Sequence, residues 1–181
     1  MTRDKKWYAF FSHTGEEIYN IYKATGIMPD KIITNQPPGS KSINKKLLKL
    51  KSEIVFVASK PTVQDYERVL IRCGDCICTL HGWMRIIPPK VCETYKFWNL
   101  HPGLITVYPE LKGKDPQARV CSETHDWIGC VIHKVTQGVD EGPVLMTAKV
   151  KNHYSGEQMI TKRLKEMALS MWEDIIRMEV I

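Results

Sequence analysis

Two polar residues in the middle of the chain, Asn99 and His101, are spaced for joint chemistry. A strand predicted over 96–100 carries them to its end, and side chains two positions apart project from the same face of a strand. Pro102 and Gly103 end the strand, so both side chains lie at its carboxyl end. An amide beside an imidazole can stabilise a developing oxyanion and transfer a proton. The same pattern also fits two polar side chains that are hydrogen-bonded at the end of a strand and take no part in catalysis.

Asp140 is a second candidate, in a glycine- and proline-containing loop between two predicted strands. The loop fits a solvated turn with Asp140 at a turn position. It equally fits a carboxylate directed back at His101, which would favour the protonated imidazole and hold it ready to donate a proton. The residues alone leave both readings open.

A third feature is the apolar segment 80–88, which follows a predicted strand where a loop is expected. Its side chains either cap the core or line a slot for a flat heterocycle edged by backbone hydrogen bonds. Periodicity does not decide between these alternatives.

Composition limits the protein classes that remain. The 181 residues are 43% hydrophobic and 25% charged, as in one ordinary globular domain. No apolar run approaches the roughly 20 residues of a membrane span, and the N-terminal apolar stretch is too short for a signal peptide. We therefore expect a single cytoplasmic domain spanning 1–181. The net charge of +6 suits an anionic ligand such as a phosphate, a nucleotide or a polyglutamate tail.

Lysines and cysteines each suggest a special role that the sequence does not support. The segment Lys41 to Lys51 predicts a basic amphipathic helix, interpreted as a solvated face in preference to a nucleic-acid patch. Cys73, Cys76 and Cys78 lack a second Cys/His pair at zinc-site spacing, so we expect no metal. In a cytoplasmic protein we also expect free, buried thiols and no disulfide.

The elements that must position these residues alternate between strand and helix. Strands are predicted over 7–12, 30–35, 53–58, 75–80, 96–100, 129–135 and 144–150, and helices over 16–24, 41–51, 61–73 and 156–178. This order predicts an α/β fold with a doubly wound, Rossmann-like, mostly parallel sheet and helices on both faces. The apolar run 53–58 predicts a strand at the buried centre of the sheet. Ligands of such sheets bind at the carboxyl ends of the strands.

Taken together and in order, these motifs resemble the folate-dependent formyltransferases, which include glycinamide ribonucleotide, methionyl-tRNA and sugar N-formyltransferases. The matching segments are 82–87, 99–104, 112–113, 129–133 and 139–144. The resemblance implies formyl transfer from 10-formyltetrahydrofolate to an amine. It implies that Asn99 binds the oxyanion, that His101 is the catalytic histidine, and that Asp140 supports it and a proton-relaying water, with His133 in a supporting position.

The resemblance also implies binding residues for both substrates. Those for the folate are Leu80, Met84, Arg85, Ile86, Ile87, Val135, Gly138, Val139 and Asp140. Those for the acceptor are Ser12, Thr14, Gly15 and Glu16 in the turn after the first strand, together with Lys112, Lys114 and Arg119. The charged residues of the second group also fit a solvated loop.

One turn departs from the pattern of the ribonucleotide enzymes. Their glycine- and serine-rich phosphate turn is replaced by a segment that ends in Glu16 and Glu17, which repel a phosphate and could pair with an amine-bearing substrate. We therefore expect a small acceptor, nucleotide- or sugar-linked, whose identity stays open.

Two other functions remain as alternatives, hydrolysis of 10-formyltetrahydrofolate and folate binding without turnover. A nucleic-acid partner is disfavoured because only the net charge and the lysine run suggest one. We expect no membrane partner and either a monomer or a homodimer.

Overall fold

The computed structural model describes residues 5–113, 115–122, 125–153 and 156–180. The strands are β1 (Lys6–Phe11), β2 (Lys31–Thr34), β3 (Glu53–Phe56), β4 (Cys76–His81), β5 (Phe97–His101), β6 (Trp127–Lys134) and β7 (Val144–Lys151). The α-helices are α1 (Glu16–Thr25), α2 (Val63–Leu70), α3 (Pro89–Thr94), α4 (Pro116–Ser122) and α5 (Glu157–Val180). Single 3-10 turns occur at Leu47–Lys49 and Pro109–Leu111.

The strands form a seven-stranded sheet in the order β3-β2-β1-β4-β5-β6-β7. Strand β1 pairs in parallel with β2 and β4, β2 pairs in parallel with β3, and β6 pairs antiparallel with β7. The predicted mostly parallel α/β sheet with helices is confirmed. Contacts within the chain divide it into two compact units. The first unit comprises the residues up to Trp98 and those from Glu173 onward, and the second unit is Asn99–Trp172. The single domain stays a prediction.

In the first unit, β1 and β4 form the core because parallel strands covered by helices are buried on both faces. Five of the six residues of β1 and all six of β4 are buried. Helix α1 begins after Gly15 and ends at Gly26, both in the left-handed conformation that glycine adopts without strain. Helix α2 is preceded by Thr62, which forms a capping box with Asp65, and the side chain of each accepts from the backbone N–H of the other.

The predicted central position of the third strand is wrong. Strand β3 lies at the edge of the sheet, pairs with β2, and leaves Ile54, Val55 and Phe56 only half-buried. A short apolar run shows that a strand is present but contains no information about its neighbours, so this sequence could not distinguish centre from edge.

The predicted helix over Lys41–Lys51 is also wrong, because the segment forms turns and the short 3-10 turn at Leu47–Lys49. Side chains compete with helical hydrogen bonds: the Asn44 carboxamide oxygen accepts from the Lys46 N–H at 2.8 Å, and the Ser40 hydroxyl accepts from the Ser42 N–H at 3.4 Å. The backbone N–H of Asn44 donates to the Thr14 carbonyl at 2.9 Å, which fixes the segment as an ordered loop.

The cysteine prediction needs one correction. Cys73 and Cys76 form a disulfide between α2 and β4, whereas Cys78 remains a free thiol whose pKa is raised by burial. Gly74, with a φ of 62°, turns the chain so that the two cysteine Cα atoms lie 5.6 Å apart, within disulfide range. The prediction of free thiols was based on the expected cytoplasmic location, and it did not consider that Cys73 and Cys76 are only three positions apart in the sequence.

In the second unit, β6 forms the core, with six consecutive buried residues from Ile128 to His133. A side chain on Gly129 would overlap the Ala148 carbonyl of β7, so the close pairing of these two strands requires glycine there. The amino-terminal part of α5 adds Ile160, Leu164 and Met167 to this core.

Candidate active site

The side chains of His101 and His133 converge on the carboxylate of Asp140, all within the second unit. One carboxylate oxygen lies 3.1 Å from His101 Nδ1, and the other lies 3.3 Å from His133 Nε2. The backbone N–H of Gly113 donates to the first oxygen at 2.9 Å. The Asp140 side chain is 9% exposed and the two histidine side chains 5% or less, so solvent screens these contacts little.

Local backbone features bring Asp140 to this position. Asp140 has a φ of 55°, a left-handed conformation that aspartate tolerates better than most residues. Two residues later, a Cβ on Gly142 would overlap the carbonyl of Lys134, so the loop can return close to the end of β6 only with glycine there. The predicted turn chemistry and the predicted approach to His101 therefore occur in the same loop.

The hydrogen-bond pattern shows which groups the two histidine rings and the carboxylate face. His101 Nδ1 faces Asp140 and its Nε2 lies 2.7 Å from the Leu111 carbonyl oxygen, so a doubly protonated ring is the form that donates to both. His133 Nε2 faces Asp140 at 3.3 Å and the side-chain nitrogen of Asn99 at 3.4 Å, and its Nδ1 lies 3.0 Å from the Lys134 carbonyl oxygen. Burial alone would raise the pKa of Asp140, but the hydrogen bonds from His101, His133 and Gly113 outweigh it and hold that pKa well below its ordinary value.

Asn99 completes the group that the sequence predicted as catalytic. It lies two residues before His101 on β5, is half-buried, and its Nδ2 atom is 3.4 Å from His133 Nε2. The structure thus brings Asn99, His101 and Asp140 together, with His133 in contact with both Asn99 and Asp140. An amide, an imidazole and a carboxylate in this arrangement can bind an oxyanion and move a proton.

The loop 109–113 covers His101. Arg119 of α4 donates hydrogen bonds to the carbonyl groups of Glu110, Leu111 and Lys112, the last two at 3.0 and 2.6 Å. The Leu111 carbonyl is therefore held by Arg119 and by His101 at once. Arg119, predicted to bind the acceptor, has its guanidinium group engaged with this loop in the structure.

The other residues predicted in this region have weaker contacts. Lys112 Nζ lies 4.0 Å from a carboxylate oxygen of Glu141, and both side chains are exposed. Lys114 lies outside the described residues. Val135 and Gly138, predicted to bind folate, are half-buried in the loop that carries Asp140, and the neighbouring Val139 is 58% exposed.

The folate-binding residues predicted in the first unit divide into buried and exposed sets. Leu80 and Ile87 are buried, whereas Met84 and Ile86 are 52% and 76% exposed. Arg85 between them donates hydrogen bonds to the carbonyl groups of Ser59 and Met84. Met84 and Ile86 therefore present apolar surface to solvent on this loop.

The turn predicted to bind the acceptor is tied down by contacts within the first unit. The Ser12 hydroxyl accepts from the Met84 N–H at 2.9 Å, and the Thr14 hydroxyl accepts from the Glu16 N–H at 3.2 Å. Gly15 is buried, and Glu16 is exposed at the start of α1.

Sequence reasoning missed a buried polar chain beside this turn. His81, at the end of β4, contacts Glu17 of α1 through Nδ1 and Thr79 through Nε2, both at 2.7 Å. The indole N–H of Trp7 donates to the same Thr79 hydroxyl at 2.7 Å. The alternation Thr79-x-His81, which places two polar side chains on one face of an apolar strand, was the available signal.

Two features are absent from the described part of the chain. Within it, no helix is long and apolar enough to cross a membrane. In the same residues, no group of three or more His, Cys, Asp or Glu side chains is arranged to hold a metal ion.

Comparison with known sequences gives related proteins of one kind. A family model described as formyl transferase matches residues 29–173. Phosphoribosylglycinamide formyltransferase of Escherichia coli (strain K12) is 35% identical over 93 residues, which cover 48% of this chain and 42% of that protein. Methionyl-tRNA formyltransferase of Thermosipho melanesiensis is 24% identical over 126 residues, covering 66% of this chain and 41% of that protein. The chain thus matches less than half the length of these two curated relatives.

Comparison with solved structures shows the same fold. Glycinamide ribonucleotide transformylase 1 of Geobacillus kaustophilus superposes with a TM-score of 0.82 at 22% identity, covering 96% of this chain and 97% of the other. A formyltetrahydrofolate deformylase of Pseudomonas syringae pv. tomato superposes with a TM-score of 0.72 at 17% identity, covering 93% and 59%. At these identities the likeness concerns the fold.

Proposed function

Because the chain belongs to the formyl transferase family, we propose that it transfers a formyl group from 10-formyltetrahydrofolate to the amine of a small, nucleotide- or sugar-linked acceptor. The observation that carries the proposal is the contact of the His101 ring with the Asp140 carboxylate, with Asn99 on the same strand. Acyl transfer to an amine requires stabilisation of an oxyanion and removal of a proton, and these three groups supply both functions.

In the proposed reaction the acceptor nitrogen forms a bond to the formyl carbon, and the carbonyl π electrons move to the formyl oxygen. The side-chain amide of Asn99 and the protonated ring of His101 donate hydrogen bonds to that oxygen. The bond between the formyl carbon and the folate nitrogen then breaks, the carbonyl re-forms, and tetrahydrofolate leaves. The surplus proton of the attacking amine passes, through a water held by Asp140, to the folate nitrogen as that nitrogen leaves, so that neutral tetrahydrofolate and the formylated amine are released.

The Leu111 carbonyl oxygen marks the position of the reacting oxygen in this proposal. It lies 2.7 Å from His101 Nε2, where a hydrogen-bond acceptor on that atom must lie. The formyl oxygen takes this place, so the loop 109–113 moves aside when substrate binds. Arg119 donates hydrogen bonds to three carbonyl groups of the loop, and it thereby stabilises the conformation in which the loop covers His101.

The exposed residues of the first unit fit the folate. Met84 and Ile86 present apolar surface of the kind that a flat pterin ring packs against. We include them, with Leu80, Arg85 and Ile87, in the folate-binding segment.

Hydrolysis of 10-formyltetrahydrofolate to formate is a second candidate, because a formyltetrahydrofolate deformylase shares the fold. Water would then take the place of the amine, with the same three residues acting on it. Folate binding without turnover is the remaining alternative.

One assay separates these functions. Loss of the formyl group from a 10-formyl folate analogue is followed by absorbance, with and without a panel of amino sugars and aminated nucleotides. Turnover that requires an amine supports transfer, and turnover without an amine supports hydrolysis. Tight binding of the analogue without turnover under either condition would contradict both enzymatic proposals.

A further inference from the structure

Helix α1 begins at the edge of the sheet where ligands of doubly wound folds bind. Strand β1 has β2 on one side and β4 on the other, so the chain connections reverse direction at β1. A helix that begins at such an edge ordinarily offers free backbone N–H groups and a positive dipole end to an anion. This turn would be expected to bind a phosphate if nothing else in the structure opposed it.

The groups around the turn oppose an anion. The Glu16 N–H already donates to the Thr14 hydroxyl, and the Thr14 carbonyl accepts from the Asn44 N–H. Leu47 packs so closely over Gly15 that a Cβ there would collide with it. One of the amide donors and the space above the turn are therefore taken by the protein itself.

The buried polar chain fixes a negative charge at the same place. The indole N–H of Trp7 can only donate, so the Thr79 oxygen accepts from it and can donate its own proton to His81 Nε2. In the arrangement where Nε2 accepts from Thr79, His81 carries its proton on Nδ1 and donates it to Glu17, 2.7 Å away. The His81 side chain is fully buried and that of Glu17 is 34% exposed, so a rigid group within the core holds a carboxylate that faces solvent.

We infer that Glu17 is a specificity-determining residue, and His81 its positioning residue, which together exclude phosphate and other anionic groups from the first turn of α1. An acceptor then presents an amine-bearing or neutral group at this turn, and any phosphate it carries is bound elsewhere. The inference rests on the proposed function for the statement that an acceptor approaches this edge, but the exclusion of anions is a property of the unliganded protein.

The exclusion is tested by binding, without turnover. Ribose 5-phosphate is titrated calorimetrically into the wild type, a Glu16→Gln/Glu17→Gln variant and a matched Glu53→Gln/Glu67→Gln variant with the same change in net charge. Removal of like charges next to the phosphate should increase the affinity of the first variant by about tenfold or more. The matched variant should bind as weakly as the wild type. Equal affinity of the wild type and the first variant, including no binding by either, would overturn the inference.

The role of His81 is tested in the formyl-loss assay with an amine that supports turnover. His81→Leu frees the Glu17 carboxylate, so KM for the amine should rise several-fold while kcat stays the same. His81→Asn retains an N–H toward Glu17 and should restore KM. An aspartate side chain at position 17 is too short to reach His81, so Glu17→Asp should behave like His81→Leu. It provides the same test if His81→Leu does not fold. A fall in kcat with unchanged KM would contradict a positioning role.

Absence of turnover with every amine would instead contradict the proposed function and leave the binding result standing.

Discussion

His101 Nδ1 and a carboxylate oxygen of Asp140 lie 3.1 Å apart, although the two residues are 39 positions apart in the sequence. The contact is enclosed, since both side chains are nearly buried, and the second oxygen of Asp140 is held by His133. Hydrogen bonds from both histidines and from the Gly113 N–H hold the pKa of Asp140 below its ordinary value, so the carboxylate keeps its charge. The proposed chemistry depends on this contact.

Asn99 should contribute to the rate and little to substrate binding. Asn99→Ala removes one donor to the proposed oxyanion, so kcat should fall about a hundredfold or more with little change in the folate Kd. Asn99→Asp, which has the same size but lacks the N–H, should be at least as impaired. Steady-state formyl loss and equilibrium folate binding measure the two quantities. A large rise in the folate Kd with unchanged kcat would place Asn99 in folate binding instead.

Asp140 should make stability depend on acid pH. Its pKa in the folded protein lies below the ordinary value of 3.8, so the ionised carboxylate contributes stability that is complete above that pH. The contribution is lost as pH falls from about 3.8 toward the folded pKa. Urea unfolding should show the wild type about 2 kcal/mol more stable than Asp140→Asn at neutral pH, with the difference shrinking in acid. The exposed control Asp75→Asn should stay close to the wild type, and a constant difference across the acid range would contradict the assignment.

Arg119 should control the loop that covers His101. Arg119→Gln removes the donors to three carbonyl groups, so the backbone amides of Lys112 and Gly113 should exchange hydrogen about tenfold faster. Hydrogen exchange followed by mass spectrometry measures this directly. Arg68→Gln, on the exposed surface of α2, is the control and should leave these amides unchanged. Unaltered exchange in Arg119→Gln would show that other contacts hold the loop.

The Cys73–Cys76 disulfide should stabilise the first unit to a modest extent. Closing so short a loop contributes about 2 kcal/mol in the chain-entropy model, or roughly 4–8 °C in Tm for a protein of this size. Thermal unfolding with and without a reductant should show this difference in the wild type, and a Cys73→Ser/Cys76→Ser variant should not respond. Mass spectrometry after thiol alkylation reports whether the bond is formed. Two alkylated cysteines at these positions without reductant would contradict the disulfide.

The sequence predicted the alternating elements because most are apolar runs bounded by turn residues. It missed α3 and α4, which at six and seven residues are too short to show a helical period. The predictions of a central position for β3 and of a helix over Lys41–Lys51 were wrong. The neighbours of a strand and the hydrogen-bond partners of a loop are set by residues distant in the sequence, such as Thr14. The pairing of Glu17 with His81 was missed for the same reason.

The candidate site was only partly predictable. Placing Asn99 and His101 on one face needed strand geometry alone. Directing Asp140 toward them needed the family resemblance, because a polar loop residue otherwise fits a solvated turn. The cover formed by Leu111 could not be predicted, since a backbone carbonyl has no sequence signature.

The proposed role of Asp140 is tested most directly by the single-turnover rate of formyl transfer in Asp140→Asn, compared with Glu141→Gln, which changes a neighbouring exposed carboxylate. We predict that Asp140→Asn loses about a hundredfold or more in rate while binding the folate with nearly wild-type Kd, and that Glu141→Gln keeps the wild-type rate. An Asp140→Asn enzyme that transfers formyl at the wild-type rate would contradict the assigned site.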